Sequence, residues 1–176
     1  PTNFTVTFGV NESELGAVDK PSVTVASGSA ISINDAEITI GTEKVTASIK
    51  EVTGHTVEFV SWDGVPAGNT VTSDVTITAD FKKTVNKYTI TWQNDDGSVL
   101  ESKEVEYGAT PAYTGATPTK DATAQYTYTF DKWTPEVVSV TGDATYKASY
   151  TSVVNKYKIT WQNDDGSVLE SKEVEY

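Results

Sequence analysis

The sequence predicts a mainly β protein made of small domains in tandem, and two observations carry this prediction. First, 37% of the 176 residues are apolar, and most of these are Val, Ile, Ala, Tyr, Phe or Trp set among Thr and Ser, a mixture that suits half-buried strands better than helices. Second, residues 85–107 recur as residues 154–176 with one difference, Thr89 against Lys158. The distance between the copies is long enough for each unit to be a small domain of its own.

A fainter copy of the same unit comes earlier in the chain. Three pairs of segments match in the same order: 4–8 with 88–92, 55–62 with 126–133, and 71–81 with 140–150. We therefore predict a divergent β-repeat domain over residues 1–84, a complete domain over residues 85–153, and the N-terminal hairpin of a truncated third repeat over residues 154–176.

The complete unit opens with the pattern of a β-hairpin. Large apolar residues alternate with threonines over residues 88–92, which places them on one face of a strand. Residues 94–97 read Asn-Asp-Asp-Gly, a tight-turn composition, and residues 99–107 return as a second strand. A last strand over residues 144–150 is expected to complete the sheet.

Two features interrupt the regular strand pattern. Residues 119–124 predict one short helical turn that crosses the sheet. Trp133 then follows Phe130 at a spacing of three instead of two, and in the divergent unit Trp62 follows Phe59 at the same spacing. A phase break of this kind is produced by a β-bulge or by a strand end, and its presence in both units predicts a common structure.

The order of these segments resembles the InlB B-repeat family, also called Listeria–Bacteroides repeats. The motifs that carry the resemblance are YTITW at 88–92, EYGATP at 106–111, FDKW at 130–133 and VTGDATYKASY at 140–150. Residues 1–84 are similar to a neighbouring subtype in which residues 29–49 add a hairpin. The chain departs from the commonest family pattern because Ser61 and Lys132 stand where a glycine usually precedes the tryptophan.

The resemblance implies both a fold and a setting. It implies domains of β-grasp type, each with a mixed four-stranded sheet and at most one short helix, arranged as an elongated array. It also implies a secreted, multi-copy spacer or adhesive element on a bacterial cell surface.

Composition narrows the range of partners and chemistries. The formal net charge of −12 disfavours nucleic acid and anionic membranes, because both attract basic surfaces. No apolar run approaches the length needed to span a bilayer, and the lack of Cys removes disulfides and thiolate chemistry. The lack of Met and the abrupt end at Tyr176 lead us to expect that the chain is part of a longer protein whose signal peptide and anchor lie outside it.

No catalytic, metal-binding or cofactor-binding residue is predicted. His55 is the single histidine, and we interpret it as an exposed residue at the start of a strand. The acidic run 94–97 fits a hairpin turn better than a calcium loop, since the EF-hand register puts Trp92 and Lys103 at ligand positions. Carboxylate pairs assembled in space remain open.

A Lys–Asn isopeptide cross-link is the covalent alternative. Asn86 and Lys87 stand at one unit boundary and Asn155 and Lys156 at the next. Adjacent strand residues point to opposite faces and are poorly placed to react with each other, so we favour ordinary linker residues.

The aromatic residues fit two interpretations. Strict alternation favours burial in a core, whereas a sugar-stacking platform would need them exposed. The candidates for ligand contact are Trp92, Trp133, Trp62 and Tyr107.

The predicted function is therefore a non-catalytic stalk or spacer, because the joints at 83–86 and 152–155 contain no Gly or Pro and are expected to be stiff. The alternatives are a module that binds glycan or host protein through exposed aromatics and an accessory segment that positions a catalytic domain elsewhere. The expected partners are neighbouring repeats. The hairpin 154–176 is marginal alone, so we expect the preceding domain or another molecule to order it, with self-association as one outcome.

Overall fold

The computed structural model describes residues 2–176, and all regular secondary structure within them is β-strand. The chain divides into two compact units, Pro1–Asn86 and Lys87–Tyr176. The division into three domains predicted from the repeats remains a prediction. Within residues 2–176 no helix is long and apolar enough to cross a membrane.

The first unit contains two four-stranded sheets. Its strands are β1 (Asn3–Val10), β2 (Gly16–Val18), β3 (Ser22–Ala26), β4 (Ile31–Asn34), β5 (Glu37–Ile40), β6 (Glu43–Ile49), β7 (His55–Asp63) and β8 (Val75–Val85). One sheet has the order β3-β1-β8-β7, in which β1 and β8 are parallel and the other pairs antiparallel. The other has the order β2-β6-β5-β4 and is wholly antiparallel. Its strands β4, β5 and β6 lie within residues 29–49, where the sequence predicted only an added hairpin, and β2 lies before that region.

The second unit contains one four-stranded sheet and one hairpin. Its strands are β9 (Lys87–Gln93), β10 (Val99–Glu106), β11 (Tyr126–Thr134), β12 (Ala144–Val154), β13 (Lys156–Gln162) and β14 (Val168–Glu175). The sheet order is β10-β9-β12-β11, with β9 and β12 parallel. Strands β13 and β14 pair only with each other.

The two mixed sheets have the same strand order and the same central parallel pair. An aspartate just before the second parallel strand fixes this pair in each unit: Asp74 Oδ1 accepts the backbone N–H of Thr5, and Asp143 Oδ1 accepts that of Thr89, both at 2.8 Å. The predicted fold class is confirmed as an all-β chain of small mixed and antiparallel sheets. The β-grasp assignment and the elongated array stay predictions.

The predicted helical turn at residues 119–124 is wrong. This segment is irregular, and its carbonyl groups accept hydrogen bonds from distant side chains. Asn94 Nδ2 donates to the Thr119 carbonyl at 3.0 Å, and Asn155 Nδ2 donates to the carbonyls of Thr123 and Ala124 at 2.8 and 3.0 Å. Side chains of the neighbouring strands and turns therefore provide the partners that a helix would have found within itself.

The phase break before each tryptophan is a β-bulge, and of the two predicted alternatives the strand end is wrong. The pairing of β11 with β12 shifts between Phe130 and Lys132, and the pairing of β7 with β8 shifts between Phe59 and Ser61. Because each bulge takes up one extra residue, the following tryptophan returns to the face of the preceding phenylalanine.

Candidate functional site

The core of the second unit is an aromatic cluster around Trp92. The Trp92 ring lies 4.7 Å from Trp133, 4.8 Å from Tyr146 and 5.9 Å from Tyr113, measured between ring centroids. Trp92 is 1% exposed, and its indole N–H is a buried donor without a hydrogen-bond partner in the described chain. Alternation along β9 therefore places Trp92 inside, where it stabilises the sheet through packing.

Trp62 has the corresponding place in the first unit. Its ring lies 5.9 Å from Phe8 and 5.7 Å from Phe59, and its Nε1–H donates to the Asp35 carbonyl at 3.2 Å. Only 7% of Trp62 is exposed. Trp62 and Trp92 thus have little surface to offer a ligand.

Trp133 and Tyr107 are the two predicted contact residues that keep part of their surface in solvent. Trp133 forms one wall of an open groove of about 610 Å³, which is lined by Lys132, Trp133, Thr134, Glu136 and Val137. The groove thus combines an aromatic face with one basic and one acidic side chain. The structure does not bring Tyr107 into this groove.

Asn155 forms a joint between β12 and β13, which it separates as a single residue. Its backbone N–H donates to the Gln125 carbonyl at 2.8 Å, and its Oδ1 accepts the Thr127 hydroxyl at 2.7 Å. Its Nδ2 donates to two carbonyls of the same loop, and the adjoining Tyr157 hydroxyl donates to the Ala124 carbonyl at 2.5 Å. These bonds hold the start of β13 against the loop before β11.

Asn86 makes the matching contacts at the end of the first unit. Its backbone N–H donates to the Gly54 carbonyl at 2.9 Å, and its Oδ1 accepts the Thr56 hydroxyl at 2.7 Å. The asparagines that the sequence offered as isopeptide candidates are therefore bound to their own units through their side-chain amides.

A covering segment, defined as residues 108–154, adds strands β12 and β11 to the sheet beside the first hairpin of the second unit and is tied to that hairpin by polar contacts. Glu101 accepts the backbone N–H and the hydroxyl of Thr114 at 2.8 and 2.9 Å, and also pairs with Lys103 at 2.6 Å. The Lys103 hydrogen bond, the two contacts to Thr114 and their electrostatics hold the pKa of Glu101 well below its usual value, at about 2. The Lys103 ammonium also donates to the Ala112 carbonyl at 2.6 Å.

The hairpin turn at residues 94–97 forms a second set of ties. Asp95 pairs with Lys120 of the covering segment at 2.5 Å, and this hydrogen bond raises the pKa of Lys120. Tyr150 donates from its hydroxyl to Asn94 Oδ1 at 2.5 Å. Asp96 accepts the backbone N–H and the hydroxyl of Ser98, and these bonds lower its pKa. Oxygens that the calcium interpretation would have used are thus bound to donors of the chain itself.

His55 and the acidic side chains outside these contacts are the remaining candidates for a catalytic or metal-binding site. The ring nitrogen Nδ1 of His55 lies 3.0 Å from the Thr53 carbonyl, in a local turn contact. Residues 2–176 contain no group of three or more His, Cys, Asp or Glu side chains that could hold a metal.

The hairpin Lys156–Glu175 has an exposed apolar face. Tyr157 is 43% exposed, Ile159 42% and Trp161 46%. The preceding domain contacts only the base of this hairpin, through Asn155 and Tyr157, and the expectation that this domain or another molecule orders the hairpin stays a prediction. Residues 108–154 of that domain are already packed against its own first hairpin, residues 87–106.

Sequence reasoning missed Trp161 as an exposed aromatic residue. The signal was present, because residues 154–176 repeat the hairpin without the strands that bury the equivalent residues of the first hairpin.

No family model matches the chain, and no curated protein matches it. Among solved structures it is similar to Streptococcal High Identity Repeats in Tandem (SHIRT) domains 3-4 from a cell surface protein, with 11% identity, a TM-score of 0.36, and coverage of 86% of this chain and 99% of that chain.

Proposed function

We propose that this chain is a non-catalytic, extracellular tandem-repeat module that acts as the stalk or spacer of a bacterial surface or secreted adhesin. The observation that carries the proposal is the asparagine joint. A single residue, Asn155, links β12 to β13, and its backbone and side chain are both bound to the loop at residues 123–127. A spacer needs joints that resist bending. A joint of one residue whose backbone and side chain are both hydrogen-bonded has this property.

The repeat pattern supports the same function. Asn86 makes the same kind of contacts at the end of the first unit. The hydrogen-bonded asparagine joint therefore recurs with the repeat. The acidic charge of −12 keeps crowded copies of such a chain apart through repulsion. The resemblance of the motifs to InlB B-repeats supports the bacterial surface setting.

The stiffness of the joint can be measured in the full chain by ¹⁵N relaxation. We expect residues 156–175 to share the rotational diffusion of the domain before them, and Asn155→Gly to give the hairpin faster motion of its own. Asn163→Gly is the matched control, because Asn163 bonds only within its own hairpin turn. Equal mobility of the hairpin in the wild type and the Asn155→Gly variant would contradict the proposal.

A second candidate function is binding of glycan or host protein, and the groove at Trp133 favours it. An aromatic face next to Lys132 and Glu136 offers the stacking surface and polar partners that sugars use. A glycan array probed with the wild type and with Trp133→Ala tests this function. Loss of every wild-type signal in the variant would support it, and absence of any wild-type signal would leave the spacer as the function.

A further inference from the structure

Strand β7 is the long edge strand of the mixed sheet in the first unit. It stands last in the order β3-β1-β8-β7, so within residues 2–176 it pairs with β8 alone. The edge strand on the other side, β3, has five residues, whereas β7 has nine. An edge strand presents unpaired backbone N–H and C=O groups that can accept another strand. The bulge between Phe59 and Ser61 interrupts this edge, which limits strand addition to residues 55–59.

An apolar groove, here called the β7 groove, runs beside this edge. Two open cavities of about 400 and 490 Å³ share Ile49 and Val57 in their walls, so they form one groove between the end of β6 and β7. Ala36, Ala47 and Phe59 add to its apolar wall. Half of the Ile49 surface, 51%, is exposed. The groove therefore offers apolar surface to the side chains that one face of an added strand would carry.

The equivalent surface of the second unit is already covered by chain. Residues 126–133 of β11 correspond to residues 55–62 of β7, so Tyr128 has the place of Val57. The Lys120 ammonium lies 4.7 Å from the centroid of the Tyr128 ring. The irregular segment that carries Lys120 thus occupies in the second unit a surface that the first unit leaves open.

The charges around the β7 groove specify the chemistry of a partner. Asp35 lies at one end of the groove and Glu51 at the other, and Glu58 stands between the two groove residues of β7. Because side chains alternate along a strand, Glu58 points to the outer face. Across the paired side of β7 it stands opposite Lys82. A basic residue on an added strand would form the same pairing on the free side, whereas an acidic residue there would be repelled.

We propose that the β7 groove is a docking site for an extended segment of a partner protein in which apolar and basic residues alternate. The backbone of this segment adds a strand to residues 55–59. Its apolar side chains pack on Ile49 and Val57, and its basic side chains pair with Glu58. The site belongs to the first unit and is independent of the spacer function and of the groove at Trp133, so its failure would leave both proposals untouched.

The probe is an acetylated hexapeptide, Lys-Val-Lys-Val-Lys-Val, added to the ¹⁵N-labelled full chain and followed by NMR. The titration is done at about 0.15 M salt, where the long-range attraction of a basic peptide to an acidic chain is screened. We expect amide shifts at residues 47–52 and 55–59 that saturate at one peptide per chain. Absence of shifts in these residues up to about 1 mM peptide overturns the proposal.

Two further peptides separate the alternating pattern from net charge. Glu-Val-Glu-Val-Glu-Val should not bind, because its carboxylates face Glu58. Lys-Lys-Lys-Val-Val-Val has the charge of the probe without its alternation and should bind at least about tenfold more weakly. Equal binding of this peptide, or shifts spread over the acidic surface of both units, would mean general charge attraction and would overturn the proposal.

Two pairs of variants locate the site on the chain. Ile49→Ala should weaken binding of the probe about fivefold through loss of apolar contact, whereas Ile33→Ala should leave it unchanged, because Ile33 is 48% exposed but lies outside the groove. Glu58→Gln should weaken binding about threefold, and Glu104→Gln, the same charge change in the second unit, should not. Equal effects within either pair would contradict docking in the β7 groove.

Discussion

Glu101 illustrates at the residue scale how one carboxylate ties two segments together. It lies on β10, receives two hydrogen bonds from Thr114 and one from Lys103, and has a pKa lowered to about 2. Because the ordinary value is 4.5, the ionised form is favoured by folding. Stability from this group is complete above about pH 4.5 and is lost as the pH falls through about 2.

The substitution Glu101→Gln should therefore lower the stability of the second unit at neutral pH and flatten its decline between about pH 4.5 and 2. Chemical denaturation of the full chain at a series of pH values, followed by NMR signals of residues 87–154, measures this. Glu104→Gln on the outer face of the same strand is the control. If the free energy of unfolding depended on pH in the same way for the wild type and Glu101→Gln, the contacts of Glu101 with Thr114 and Lys103 would contribute nothing to stability.

The bulges show at the element scale how a sequence irregularity becomes a structural feature. Phe130 pairs with Tyr150 and Lys132 with Ser149, so Asp131 is the extra residue of β11. The bulge brings Trp133 back to the face of Phe130, with their rings 5.3 Å apart. Without it, the spacing of three would turn the tryptophan to the opposite face.

Deletion of Asp131 should consequently be tolerated, since the remaining strand keeps Phe130 and Trp133 on one face. We expect a loss of about 1 kcal/mol in the free energy of unfolding from the changed twist. Deletion of Thr129 should abolish the fold of the second unit, because it moves the preceding tyrosines to the wrong face. Near-UV circular dichroism and thermal unfolding compare the two, and equal damage would refute the role assigned to the bulge.

At the scale of the whole molecule, two copies of one sequence have different surroundings. Residues 87–106 are covered by residues 108–154, while residues 156–175 form a two-stranded sheet with an exposed face. A two-stranded hairpin is marginally stable in water without such cover. Equal local propensities therefore lead to unequal local stability.

Amide hydrogen exchange should expose this difference. We expect the amides paired within residues 87–106 to exchange at least about a hundredfold more slowly than their equivalents in residues 156–175, because opening the first hairpin requires loss of packing as well as pairing. NMR-detected exchange distinguishes the copies by position. Similar protection in both would mean that the hairpin alone supplies the stability.

Much of the fold could be predicted from the sequence because its determinants are local. Alternation along residues 88–92 and the Asn-Asp-Asp-Gly turn specify a hairpin, in which Gly97 takes a φ of 88°, and the shared spacing before Trp62 and Trp133 specifies the bulges. The recurrence of residues 85–107 specifies a repeated unit.

Only the tertiary structure decided which aromatic side chains are exposed to solvent. It also decided which backbone carbonyl groups accept hydrogen bonds from side chains far along the chain. The pattern at Trp92 and Trp161 is identical, yet one is 1% and the other 46% exposed, because burial depends on whether another segment lies across the strand. The segment 119–124 lost its predicted helix for the same reason, since Asn94 and Asn155 bind its carbonyl groups from far along the chain. Local sequence determines what a strand presents, and long-range contacts determine what covers it.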